Sequence, residues 1–265
     1  MNEMLKRVYI KEAQDETVFF QGILFLENKF VEYVGDRVKN RFLDTDWTSE
    51  LVERAKEALQ DTGFDISNLE EILSNNEEED NWRIGECLAE CVLEDHFSAQ
   101  FHYNNSRDAK NPNGNDTGAD LVGLYSDDQD VIFLFGEVKT SYDTNTPPQV
   151  LYGKSGMINQ LEALRDEESK RSSLVRWIWS KAVAKNGSDF HEKCALALRN
   201  YLVNKKLKLV GVLVRDTDVN KKDLYSRAKA LNDNITDGIQ IELISIYSGY
   251  KMENDNWLKA INGGG

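Results

Sequence analysis

The chain has 265 residues, of which 40% are hydrophobic and 10% aromatic, as is typical of a globular protein with one large or two small domains. This composition excludes a disordered or fibrous protein. Acidic residues outnumber basic ones by 46 to 32, and the net charge of −14 disfavours a protein that coats nucleic acid by itself.

Membrane and secretion signals are missing from the sequence. No apolar run approaches the roughly 20 residues that span a bilayer. The N-terminus, MNEMLKRVYIKEAQDE, has no apolar core of the kind found in signal peptides. The three cysteines form neither a disulfide framework nor a zinc motif. We therefore expect a cytoplasmic protein without a membrane contact.

Residues 1–80 are predicted to form an N-terminal α/β extension, with partner docking as one interpretation of its role. This region contains a short apolar alternation, ETVFFQGILFLE, and two helical patterns, FVEYVGDRVKNRF and TSELVERAKEALQ. A polar, Asn-rich break near residues 75–81 marks its predicted end.

Residues 81–262 form the second predicted domain, in which helices and strands alternate. It begins with the helical pattern RIGECLAECVLEDHF, followed by an Asn-rich stretch and two strands, ADLVGLY and VIFLFGEVKTS. The later strands are LKLVGVLVRD and IQIELISIYS, and the later helices are MINQLEALRDEE, SLVRWIWSKAVAK, HEKCALALRNYLVNK and NKKDLYSRAKALNDNI. We predict a mixed α/β (α+β) fold with a central mixed β-sheet flanked by helices.

Basic residues are concentrated between residues 170 and 229. This segment has fifteen bases and five acids, a local charge of +10, which leaves −24 for the rest of the chain. A basic layer suits a surface that faces a polyanion, because each phosphate contact releases counterions. Solvated helix faces, or a docking surface for an acidic partner, explain the same excess equally well.

The strands ADLVGLY and VIFLFGEVKTS are predicted to form a hairpin that brings charged side chains together. If the hairpin closes symmetrically through the turn between them, Ser126 pairs with Val131 and Asp120 lies opposite Glu137. Directly opposed residues have Cβ atoms roughly 5 Å apart, so the two carboxylates would converge. Lys139 follows Glu137 by two residues and points to the same face.

An Asp opposite a Glu is a poor structural choice unless a cation lies between them. Mg²⁺ or Mn²⁺ would accept oxygen ligands from Asp120, Glu137 and the Val138 backbone carbonyl, leaving positions for a phosphate and a water. Lys139 would position that water and offset charge on the phosphate. Alternatively, Asp120 simply begins a strand, and Glu137 and Lys139 form an exposed pair. The apolar run VIFLF favours the metal site, because it predicts a central strand whose charges need a function.

These motifs, with a Glu-bearing helix upstream, resemble the PD-(D/E)xK nuclease superfamily, whose core has the order α-β-β-β-α-β. The resemblance covers roughly residues 83–166. It implies that the upstream helix contributes a further carboxylate, Glu86 or Glu90, and that Gln160 supports the site from the following helix. Gly85 would permit close approach and favours Glu86. Ordinary solvation of helix faces explains all three residues as well.

More narrowly, the chain resembles the HamA family, the nuclease component of Hachiman anti-phage defence. The resemblance lies in its length, the RIGE helix, and the strands GADLVGLY and FLFGEVKTS. It implies a Mg²⁺- or Mn²⁺-dependent deoxyribonuclease that acts on DNA in a heterocomplex with a helicase subunit, HamB. The alternative is a catalytically idle nuclease fold that serves as a partner-docking or regulatory subunit. The intact Asp120, Glu137 and Lys139 argue against that alternative.

Overall fold

The computed structural model describes residues 4–11, 18–26, 29–60, 69, 81–103, 118–127, 129–232, 237–251 and 256–262. Within these residues, seven strands form one sheet in the order β1-β2-β7-β6-β5-β4-β3. The strands are β1 (Leu5–Lys11), β2 (Val18–Phe25), β3 (Ala99–Gln100), β4 (Leu121–Ser126), β5 (Val131–Ser141), β6 (Leu207–Arg215) and β7 (Ile239–Tyr247). Strands β2, β7, β6 and β5 run parallel to one another, whereas β1, β4 and β3 pair antiparallel with their neighbours.

Helices flank the sheet, and the predicted mixed α/β fold is confirmed. The helices are α1 (Lys29–Tyr33), α2 (Lys39–Leu43), α3 (Thr45–Leu59), α4 (Asn81–His96), α5 (Met157–Asp166), α6 (Glu168–Ala184), α7 (Asp189–Asn204), α8 (Lys222–Asn232) and α9 (Asn256–Ile261). A π-helical segment, Val34–Val38, joins α1 to α2, and a 3₁₀ turn, Gln149–Leu151, precedes α5. In the part of the chain that the structure describes, no helix has the length and apolarity needed to cross a bilayer.

The central strands are buried on both faces. Every residue of β6 is buried except the partly exposed Lys208. Strand β6 lies between β5 and β7, and the three strands are parallel. Parallel strands that are covered by helices on both faces have continuously apolar sequences, without alternating polar residues, because neither face meets water. The run LKLVGVLVR follows this rule.

Helices approach the centre of the sheet from opposite faces. A Cβ atom on Gly211 would lie 2.7 Å from the Met157 sulfur, so α5 covers the face to which Gly211 and its register partner Glu137 belong. A Cβ atom on Gly85 would collide with the Thr140 hydroxyl, so α4 packs closely on Thr140. Strand side chains alternate, and Thr140 therefore lies on the face opposite to Glu137. Helices α4 and α5 thus enclose β5 between them.

The N-terminal strands belong to the same sheet as the rest of the chain. Strand β2 pairs in parallel with β7, from Val18 opposite Ile241 to Leu24 opposite Tyr247. Helix α1 packs on α9, where the rings of Phe30 and Trp257 are 5.1 Å apart. The predicted boundary near residues 75–81 lies almost entirely outside the described residues, and the division at residue 80 stays a prediction.

Candidate active site

Strands β4 and β5 pair in the predicted register. Ser126 lies opposite Val131, and the ladder ends where Leu121 pairs with Gly136. Asp120 immediately precedes β4, so continuation of the register places it beside Glu137. The Asp120 carboxylate reaches across to β5, where its Oδ2 accepts a hydrogen bond of 2.9 Å from the Val138 N–H.

Three charged side chains converge at this end of the hairpin. Lys139 Nζ lies 3.3 Å from Glu137 Oε2 and 3.8 Å from Asp120 Oδ2. Glu137 is only 1% exposed, whereas the other two side chains are partly open to solvent. The predicted cluster of two carboxylates and one ammonium group is therefore present in the fold.

The electrostatics of this cluster are unfavourable without a further cation. Burial, followed by the negative charge of Asp120, raises the pKa of Glu137 to about 8, and Lys139 offsets part of this effect. A buried carboxylate beside a second carboxylate favours either protonation or a bound cation. The carboxylate oxygens of Asp120 and Glu137 are hard donors of the kind that Mg²⁺ prefers. The chemistry of the donor set therefore fits a divalent metal.

The backbone around Val138 fits the same interpretation. Its N–H points toward Asp120, on the side where β4 has ended. The N–H and C=O of one strand residue point the same way, so the Val138 carbonyl also faces that open side. Among the described residues, no three His, Cys, Asp or Glu side chains are grouped closely enough to hold an ion. Backbone, water or substrate oxygens would have to complete the coordination.

The two candidate glutamates of α4 differ in their surroundings. Glu90 is 3% exposed, and both of its oxygens are occupied. Arg41 Nε donates to Oε2 at 2.7 Å, and the Tyr103 hydroxyl donates to Oε1 at 2.7 Å. Glu86 is partly exposed. Gly85, which precedes Glu86, packs closely on Thr140, and the assignment of Glu86 to the metal site stays a prediction.

Gln160 lies on α5, the helix that covers the Glu137 face of the sheet. The side chain is partly buried, and its Oε1 atom is buried without a hydrogen-bond partner within the described part of the chain. A buried carbonyl oxygen of this kind normally finds a donor. This observation agrees with a supporting role for Gln160, which stays a prediction.

Sequence reasoning did not identify Arg41 or Tyr103 as residues near the site. Arg41 is 49 positions from Glu90, and Tyr103 follows a two-residue strand, where hydrophobic periodicity carries little information. The available signal was the acid-rich segment that ends at Asp95, because carboxylates on an apolar helix require cationic partners. That signal calls for cations without identifying which residues supply them.

A comparison with protein-family models matches residues 11–253 to the HamA family. A search of curated proteins found no match. The family match includes the hairpin with Asp120, Glu137 and Lys139, as well as helices α4 and α5. The chain therefore belongs to the HamA family and is a protein associated with Hachiman antiviral defence.

Proposed function

We propose that this protein is a metal-dependent DNA nuclease with a PD-(D/E)xK core, acting as effector of a Hachiman complex that also contains a helicase subunit. The observation that carries this proposal is the convergence of Asp120, Glu137 and Lys139 at the end of the β4–β5 hairpin. Membership of the HamA family supplies the defence context.

Each residue of the cluster has a distinct role in this proposal. Asp120, Glu137 and the Val138 carbonyl would hold Mg²⁺ or Mn²⁺, and a bound ion supplies an activated water and polarises the phosphoryl oxygens. Lys139 Nζ, 3.3 Å from Glu137, would orient that water and offset charge that develops on the phosphate. Glu86 would provide a further oxygen ligand, directly or through water, and Gln160 would support the site from α5.

The distribution of charge supports a protein that needs a partner to deliver DNA. The segment between residues 170 and 229 carries an excess of bases, but several of them are buried or paired with acids. Arg171 and Arg215 are buried. Five lysines are already matched by acids, in the pairs Lys170–Glu167, Lys193–Asp189, Lys205–Glu168, Lys206–Asp130 and Lys208–Glu242. Fewer cations remain for phosphates, so we expect weak DNA binding by the chain alone.

A cleavage assay tests the proposed function. Plasmid and linear DNA are incubated with Mg²⁺ or Mn²⁺, or with EDTA, using the chain alone and with its helicase partner. We expect metal-dependent cleavage that EDTA abolishes and that Lys139→Ala and Glu137→Ala each reduce by roughly 100-fold or more. Equal cleavage by the wild type and both variants would contradict the assignment. No cleavage under any partner condition would favour an idle, partner-docking subunit.

A further inference from the structure

Asp120 lies just outside the β-ladder, so other contacts fix its backbone. The ladder between β4 and β5 ends at Leu121. The Tyr103 hydroxyl lies 3.0 Å from the Asp120 carbonyl oxygen and accepts a hydrogen bond of 3.4 Å from the Val122 N–H. Tyr103 therefore contacts the backbone on both sides of the first residue of β4.

Tyr103 is held by a buried ion pair. Its hydroxyl is 2.7 Å from Glu90 Oε1, and Arg41 Nε donates to the other Glu90 oxygen at 2.7 Å. The Arg41 guanidinium also donates to the Tyr103 carbonyl at 3.2 Å, which closes the ring of contacts. The tyrosine ring packs edge-on against Trp177, with centroids 5.3 Å apart. Arg41, Glu90 and Tyr103 together form the Arg41–Glu90–Tyr103 network.

The protonation state of Tyr103 agrees with its role as a hydrogen-bond donor in the network. Burial, followed by the charge of Glu90, raises the pKa of Tyr103 well above its ordinary value, so the hydroxyl keeps its proton. Both Glu90 oxygens are engaged within the network, and Arg41 provides the matching positive charge. A carboxylate engaged in this way is poorly placed to bind a metal as well.

We propose that Glu90 is a positioning residue and not a metal ligand, and that the Arg41–Glu90–Tyr103 network holds Asp120 in place for the metal site. Arg41 belongs to α2, so the N-terminal helices determine the geometry of a site built on β4 and β5. Groups that orient the ligands of a metal affect its affinity without touching it. This inference rests on the proposed function above.

The chain offers a matched control for Tyr103. The Tyr33 hydroxyl donates to Asp95 Oδ2 at 2.7 Å, so it also joins an N-terminal helix to α4 through a buried tyrosine and a carboxylate. The Asp95 carboxylate is shared with Arg37 and not with the hairpin. Tyr33→Phe and Tyr103→Phe each remove a hydroxyl group and its hydrogen bond to a carboxylate of α4. Of the two tyrosines, only Tyr103 contacts Asp120.

The test compares full-length Tyr103→Phe, Tyr33→Phe and wild type, each with the helicase partner for kinetics. Thermal unfolding, Mn²⁺ affinity by calorimetric titration, kcat and KM are measured. We expect both variants to remain folded, but only Tyr103→Phe to weaken Mn²⁺ binding by roughly 10–100-fold and to lower kcat, with KM for DNA unchanged. If Tyr103→Phe fails to fold, Arg41→Lys replaces it in the test. This variant keeps the positive charge but loses the planar guanidinium group, and we expect it to weaken Mn²⁺ binding as well.

Two outcomes are decisive against the inference. If Tyr103→Phe and Arg41→Lys match Tyr33→Phe in Mn²⁺ affinity and kcat, the network is merely structural and the inference is overturned while the proposed function stands. If wild-type protein neither binds Mn²⁺ nor cleaves DNA, the proposed function fails, and the inference fails with it.

Discussion

Glu137 has the least favourable environment of the three clustered side chains. It is almost fully buried in a central strand, with the Asp120 carboxylate and the Lys139 ammonium group beside it. Burial of an ionised carboxylate is costly unless a cation compensates for it. Ionisable groups with strongly shifted pKa values in such settings are concentrated at functional sites.

Lys139→Met should separate metal binding from chemistry. The substitution removes an ammonium group that repels a cation, so Mn²⁺ binding should persist, whereas cleavage should fall by roughly 100-fold or more because the water and phosphate lose their partner. Single-turnover cleavage and Mn²⁺ titration measure the two effects. Lys29→Met, which removes an exposed pair with Glu32 on α1, is the control and should cleave like the wild type. Loss of Mn²⁺ binding in Lys139→Met would contradict the role given to Lys139.

His102 should make the stability of the protein depend on pH. Burial, followed by the charges of Lys185 and Lys193, lowers the pKa of His102 to about 4, although Asp189 acts in the other direction. The ring also stacks on Phe190 at 3.9 Å. The unfolded chain therefore binds a proton between about pH 6.5 and pH 4 that the folded chain excludes, and stability falls as pH falls through this window.

Urea unfolding of wild type and His102→Gln at pH 7.5 and pH 5 measures this effect. The wild type should lose more stability between the two pH values than the variant. The difference should be at most roughly 2 kcal/mol, because one pKa unit corresponds to about 1.4 kcal/mol and partial exposure weakens the interaction. Equal losses in the two proteins would show that His102 does not titrate in this window.

At the scale of elements, the hairpin was the most predictable part of the fold. The turn between β4 and β5 is short, so strand alternation and loop length fix the register, and the pairing of Ser126 with Val131 followed from the sequence. The position of Lys139 on the face of Glu137 followed from the same alternation. The boundaries of β5 also match those of the predicted strand VIFLFGEVKTS.

Long-range pairings could not be predicted in the same way. The alternation ETVFFQGILFLE indicated a strand, but parallel partners are not adjacent in sequence, so its pairing with β7 required the structure. The contact of Arg41 with Glu90 could not be predicted either, because the two residues are far apart in sequence. Helix periodicity indicates which face of a helix is buried, but not which residues cover that face. The contacts within the hairpin were therefore predictable from the sequence, and the contacts between distant segments were not.

Gly85→Ala tests the close packing of α4 on β5. Alanine in place of glycine usually stabilises a helix interior by about 1 kcal/mol. Here the new methyl group would collide with the Thr140 hydroxyl, so we expect a net loss of roughly 1–3 kcal/mol. Thr140→Ala in the same chain removes the obstacle and should restore most of the stability. Thermal unfolding of both single variants and the double variant measures the coupling, and simple additivity would contradict the packing argument.

At the scale of the whole molecule, part of the acidity of the chain is neutralised internally. Arg37 pairs with Glu94 and Asp95, and Arg41 pairs with Glu90 and Glu94. These pairs join the N-terminal helices to α4, and strand β2 joins the same region to β7. The N-terminal region therefore contributes to the sheet and to the neutralisation of the carboxylates on α4.

Residues 81–262 alone should not unfold cooperatively. Removal of β2 exposes the edge of β7, and removal of Arg37 and Arg41 leaves the α4 carboxylates without their cations. Differential scanning calorimetry of this fragment and of the full chain compares the sharpness and the temperature of their unfolding transitions. A sharp transition of the fragment at the temperature of the full chain would show that the N-terminal region folds separately and does not support the rest.

The central claim is that Asp120 and Glu137 together bind one divalent cation beside Lys139. Calorimetric titration of Mn²⁺ into wild type and into Asp120→Asn/Glu137→Gln tests it most directly, because amides keep the shape of the side chains but remove their charge. We predict saturable binding of Mn²⁺ by the wild type and none by the double variant, with both proteins folded. Equal binding by the two proteins would contradict the claim.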